Sequence, residues 1–172
     1  MTVRLNPDAS ATYKLLLTMA SQRRSLDLST DPAFFALLTE SFDRLVGRSL
    51  VPPGKDAAWL YHEAPFAVLA HDTQDDPHFI YANASAQACF EYSWMEFLSL
   101  PSRLSAVNSD WAVRQGLLEE VARKGYVSNY RGMRVTKSGH RFIIEDGVIW
   151  ELIAEDGARH GQAATFRSWR SA

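Results

Sequence analysis

Residues 126–166 read YVSNYRGMRVTKSGHRFIIEDGVIWELIAEDGARHGQAATF, and this stretch restricts the fold more tightly than any other. Its apolar runs break at Lys137-Ser138-Gly139 and at Asp156-Gly157, turn-forming groups flanked by strand-like sequence. The pattern predicts a three-stranded antiparallel meander. In the middle run Phe142, Ile144, Val148, Trp150 and Leu152 share one parity, so an unbroken extended chain points them to one face. Asp146 falls in the same row, where a carboxylate is costly unless it is paired, hydrogen-bonded or reached by water. Three arrangements meet that demand: a partner from elsewhere in the fold, a face that borders a polar pocket, or a bulge at Gly147 that turns Asp146 outward. With Asp146 on the apolar face, Asp146→Asn affects ligand binding or pH-dependent stability far more than Glu155→Gln.

The chain has 172 residues, 47% of them hydrophobic and 12% aromatic, enough for one buried core with an elaboration. A formal net charge of -2 and the lack of a dense Lys/Arg run leave no basic field for phosphate neutralisation, so nucleic acid is not an expected partner. Cys89, the single cysteine, excludes an internal disulfide and any metal site that needs two thiolates from one chain. There is no basic start followed by an apolar signal core, and no apolar run approaches the length of a membrane span. The expectation is a cytoplasmic protein without membrane contact.

Upstream of the meander, Tyr13, Leu16, Leu17 and Ala20 recur at helical spacing within residues 7–24. Residues 31–46 predict a second helix: Asp31 as cap, Pro32 in the first position, Phe34, Phe35, Leu38, Phe42 and Leu45 along the apolar side, Gly47 at the end. Val51-Pro52-Pro53-Gly54 cannot continue a helix, which divides the chain into a helical extension over 1–50, a linker over 51–55 and a domain over 56–169. A lead-in helix over 56–63 then gives way to an apolar strand at 66–70, and a polar loop joins it to a strand at 79–82. The histidines and aspartates of that loop lack metal-ligand spacing, and Asp and Pro favour turns for backbone reasons, so no metal site is expected.

Asn83 stands as the cap of a helix through Phe90, and Ser93 with Glu96 forms the capping-box pattern of another, stopped by Pro101. A longer helix is predicted over 110–124, with Gly125 past its end. Glu119/Arg123 and Glu120/Lys124 mark its wet side, and Val113, Leu117, Leu118 and Val121 face the other way. Cys89 reads as a small buried hydrophobe rather than a nucleophile.

Two strands, short helices, one longer helix and three strands is the order of a PAS domain, and the chain resembles one. The resemblance is carried by Ile80-Tyr81-Ala82-Asn83, by Tyr92-Ser93-Trp94-Met95-Glu96-Phe97-Leu98 and by Lys137-Ser138-Gly139-His140-Arg141-Phe142. Leu100-Pro101-Ser102-Arg103, Tyr130-Arg131-Gly132-Met133-Arg134, Arg141-Phe142-Ile143-Ile144-Glu145-Asp146, Val148-Ile149-Trp150-Glu151-Leu152 and Gly161-Gln162-Ala163-Ala164-Thr165-Phe166 are similar to the hallmarks of the PAS-like MEKHLA family, stand-alone bacterial type, over roughly 60–168. The family also occurs at the end of plant class III homeodomain leucine-zipper transcription factors. Residues 105–111 depart in part from its pattern. The fold implied is α+β: a PAS-like five-stranded antiparallel sheet with short helices on one face, preceded by the N-terminal helical extension.

The resemblance implies sensing or association, not a reaction. Haem-binding PAS domains supply an axial histidine from the long helix, and 110–124 has none. Photoactive flavin domains carry cysteine in an Asn-Cys-Arg-Phe context, which Ala88-Cys89-Phe90 does not reproduce. The cofactor is therefore left unknown, with a non-covalent flavin or another haem geometry still open. The expected function is a non-catalytic sensory module that binds a small molecule, dimerises, or both, and signals to a separate protein. Arg103, Asp146, Trp150 and Gln162 are the candidate ligand-binding residues. The alternative is a pure association module with a filled core, dimerising through Leu16, Leu17, Phe34, Phe35 and Phe42. A third reading, an enzyme using Asp146 with His140 or His160, finds no nucleophile elbow, phosphate loop or metal motif to support it.

Overall fold

The computed structural model describes residues 27–107 and 111–172, so the helix expected over 7–24, with Leu16 and Leu17, lies outside the described residues. Helix α1, Pro32–Val46, begins where Asp31 accepts a bond from the Phe34 amide at 2.7 Å and ends at Gly47, whose φ of 78° closes the last turn. Helix α2, Ala57–His62, is capped in the same way by Asp56. Strands β1, Ala67–His71, and β2, Phe79–Ala82, follow as a hairpin.

Asn83 then ties three elements together. Its carboxamide oxygen accepts from Ala86 at the start of α3, Ala84–Phe90, and from Val68 in β1, while its amide donates to the carbonyls of Leu60 and Phe66. Helix α4, Trp94–Leu98, opens with the Glu96 carboxylate accepting from both the amide and the hydroxyl of Ser93. A 3-10 turn, Ser102–Ser105, leads to α5, Trp111–Lys124. Only part of the apolar stripe expected on α5 is covered: Val121 is buried, whereas Val113 is 74% exposed.

The meander is present as β3, Tyr126–Val135, β4, Arg141–Ile153, and β5, Arg159–Phe166. All pairings are antiparallel, in the order β2-β1-β5-β4-β3. A sixth strand, β6, Ser168–Ser171, was not expected. It exists because β4 outruns β5: β5 pairs with Val148 to Ile153, and β6 takes the remaining edge from Phe142 to Glu145.

The parity expected of β4 does not hold. Ile144 pairs with Gly132 and Gly147 with Tyr130, so Glu145 and Asp146 together oppose Arg131 alone, and Asp146 takes a φ of 53°. That extra residue is a bulge, and it turns Asp146 to solvent. Before the bulge Phe142 and Ile144 pack with Phe79, Phe90, Phe97 and Phe166 on the face covered by α3 and α4. After it Val148, Trp150 and Leu152 pack on the opposite face with Leu38 and Phe42 of α1. Helix α1 thus shares a core with the sheet across the linker expected at 51–55. Phe34 and Phe42, offered above as a dimer surface, are buried within their own chain, and Phe35 is part-buried.

Candidate functional site

The face of the sheet opposite α1 forms a cup. Leu69 of β1, Phe79 of β2, Phe90 of α3, Tyr130 of β3, Ile144 and Ile149 of β4, and Ala164 and Phe166 of β5 make its walls. Ser102 and Ser105 of the 3-10 turn and Leu117 and Leu118 of α5 close it from above. Tyr130 shares a strand face with Gly132, whose missing side chain leaves room for the phenol: a Cβ there would lie 1.8 Å from the Tyr130 hydroxyl. The Arg134 guanidinium covers the same ring at 5.4 Å from its centre. The cavity measures about 50 Å³.

Gln162 is a polar member of this wall, 8% exposed. Its Nε2 donates to Glu151 Oε1 at 2.6 Å and to the Leu118 carbonyl at 3.1 Å, which fastens α5 to the sheet. Its Oε1 is buried and has no hydrogen-bond partner among the described residues. Turning the amide over would set that oxygen against a carboxylate and a carbonyl, so the two donor bonds decide the orientation. Glu151, only 1% exposed, lies beside Gln162 in register, and Arg159 grips its carboxylate with Nε at 3.1 Å and Nη2 at 2.8 Å. A buried carboxylate needs such partners. Beyond Gln162 the cup meets an open groove of about 500 Å³ between α5 and the β1–β2 loop, lined by Asp72, Gln74, Gln115, Glu151 and Arg159.

Of the residues expected at a ligand, Gln162 alone lines the cup. Trp150 lies on the other face, because the bulge reverses the strand's parity; its indole donates to Ser41 of α1. Asp146 stands exposed on the bulge, so the contrast expected between Asp146→Asn and Glu155→Gln loses its basis. Arg103 points to the surface, where its Nε meets Asp76 Oδ1 at 3.0 Å and pins the 3-10 turn to the β1–β2 loop, while its neighbour Ser102 lines the cup. Glu151, Arg159 and Tyr130 were missed. For Glu151 the signal was a charge inside the apolar run Val148-Ile149-Trp150-Glu151-Leu152. Burial pushes the Cys89 thiol up to about 12, which keeps it from acting as a thiolate near neutrality.

The sequence matches the MEKHLA domain over residues 32–171. The chain belongs to the MEKHLA domain family. The MEKHLA match starts well before residue 60, where the motifs noted in the sequence begin, and it takes in α1 and the 51–55 segment. Among solved structures this MEKHLA chain is similar to the PAS domain of a protein from Colwellia psychrerythraea, with a TM-score of 0.57 and 18% identity over 67% of this chain and 92% of that one. It is also similar to an RNA-binding light-oxygen-voltage receptor, with a TM-score of 0.53 and 20% identity over 72% of this chain and 35% of that one. A light-oxygen-voltage protein of Rhodobacter sphaeroides gives a TM-score of 0.52 and 10% identity over 62% and 61% of the two chains. These likenesses are of fold, and the fold is the PAS-like one expected. No curated protein is significantly similar to the chain.

At about 50 Å³ the cup is smaller than the roughly 300–1,000 Å³ usual for drug-sized ligands, and Phe79, Phe90 and Phe166 stand in its wall. Among the described residues no cluster of His, Cys, Asp and Glu has the geometry to hold a metal ion, and no helix is long and apolar enough to cross a membrane.

Proposed function

We propose that this MEKHLA protein is a non-catalytic sensory module whose cup takes a small molecule and whose state is read by a separate protein. The observation that supports the reading is the unpartnered Gln162 Oε1 in the wall of a mainly apolar cavity. A core designed only to be full has no use for a buried acceptor without a donor, since such a group destabilises the fold. A ligand that supplies the donor removes the penalty, and Gln162 holds α5 by its other end, so the cup contacts a helix that faces outward on its far side.

The association reading has less to stand on, because Phe34 and Phe42 are covered by their own sheet. The family's PAS-like fold favours signalling over catalysis, and His140 and His160, named above with Asp146, do not line the cup.

Native mass spectrometry of the freshly purified full chain tests the proposal. The expected result is a small bound mass that is lost after mild unfolding and refolding. A chain that carries no bound mass, and whose Tm does not move with a panel of small aromatic and aliphatic compounds, overturns the sensory reading.

A further inference from the structure

We infer that the molecule the cup accepts is neutral, no larger than a single ring, and donates one N–H or O–H bond to Gln162 Oε1. The inference rests on the sensory reading above and specifies its ligand.

Size comes first. On the scale where one water fills about 10–15 Å³, a cavity of about 50 Å³ holds a handful of heavy atoms. The Phe90 and Phe166 rings, which pack edge-to-face, bound that space. Charge comes next. The Glu151 carboxylate lies directly behind the Gln162 amide, which disfavours an anion at Oε1. Arg134 also lines the cup, but its guanidinium is occupied by the Tyr130 ring and the Met133 carbonyl. No carboxylate among the described residues lines the cup, and a cation there would lose its water without gaining a counterion. A neutral molecule avoids both penalties.

The donor requirement follows from the fixed amide. Gln162 Nε2 is committed to Glu151 and Leu118, so the side chain offers the cup an acceptor and nothing else. A molecule of the right shape without a donor leaves Oε1 unmet, and discrimination between such pairs is strong when the site's polar group is buried. The neighbouring groove shares His71, Leu118 and Gln162 with the cup, so Gln162 stands where the two meet.

Phenol and toluene, nearly the same in shape but differing in the donor, are the probes. Titrated into the full chain by calorimetry, phenol is expected to bind about tenfold more tightly than toluene, the ratio that one satisfied buried acceptor gives. In Gln162→Met the ratio is expected to fall to near one. Should that variant not fold, the side-chain amide resonance of Gln162 in the unsubstituted protein decides, since phenol shifts it and toluene does not. Equal binding of the two probes overturns the donor requirement and leaves a ligand-binding cup. Binding of neither also overturns this inference, while bound mass in the purified protein decides the sensory reading separately.

Discussion

The indole N–H of Trp150 donates to the hydroxyl of Ser41 at 3.1 Å, with both side chains wholly buried. The bond joins the longest strand to α1, and the ring of the next residue, Phe42, stands edge-on to the same indole with 4.9 Å between centroids. Ser41→Ala removes the acceptor and strands the indole proton, an expected loss of about 1–3 kcal/mol in urea unfolding. Phe42→Ala opens a hole in the same layer and costs about 3–5 kcal/mol. If either variant matched the parent, α1 would not be held to the sheet as described.

Arg159 is half exposed, yet the carboxylate it grips is not. Arg159→Met leaves Glu151 with the Gln162 amide as its remaining side-chain partner among the described residues, and the expected loss is about 1–3 kcal/mol at neutral pH, limited by the solvent that reaches the arginine. Adding Glu151→Gln restores part of it, because the buried group then needs no cation. A double variant less stable than Arg159→Met contradicts this account.

Gly161 faces the β1 backbone so closely that a Cβ would lie 1.9 Å from the His71 carbonyl oxygen, and its φ is 140°. Gly161→Ala is expected to cost more than about 3 kcal/mol, or to prevent folding. Gly157 also has positive φ, at 85°, but a Cβ added there would meet no described atom within 4 Å, so Gly157→Ala costs about 1–2 kcal/mol of backbone strain alone. Thermal melts of the two variants side by side check the contrast.

The Lys137 ammonium, 2.5 Å away, together with the amide and hydroxyl of Ser93, holds the Glu96 carboxyl at about 2 against an ordinary 4.5. A folded value below the unfolded one means that the pair adds stability above about pH 4.5, a contribution lost as pH falls through about 2. Glu96→Gln should therefore lower Tm slightly at pH 7 and by less at pH 2, with the difference shrinking in molar salt because both groups are exposed. A Tm gap that persists unchanged at pH 2 counts against the pair.

The legible parts of this fold were those governed by local chemistry. Asp31, Asn83 and Ser93 declare helix starts because free amides there need an oxygen, and Gly139 and Gly157 declare turns because the chain reverses at positive φ. The bulge at Asp146 was only one of several arrangements the sequence left open. It depends on which residues of β3 lie opposite, and β3 carries an irregularity of its own at Ser128 and Asn129, where φ is 56° for Asn129. One uncounted residue moved Trp150 from the cup to α1 and Glu151 from solvent to the cup face. Gln162 was offered as a polar residue of the meander, within Gly161-Gln162-Ala163-Ala164-Thr165-Phe166. Its unmet oxygen was not legible there, because that follows from Glu151 and Leu118 arriving from elsewhere in the chain. Strand β6 is four exposed residues without an apolar pattern, defined by the edge it fills.

Strand β4 passes from one side of the sheet to the other at the Asp146 bulge, so its first half is a wall of the cup and its second half is a floor for α1. One backbone thus serves as a crankshaft between two cores: under the sensory reading, a displacement of Ile144 in the cup wall is expected to reach Trp150 and Ser41 on the opposite face through this strand.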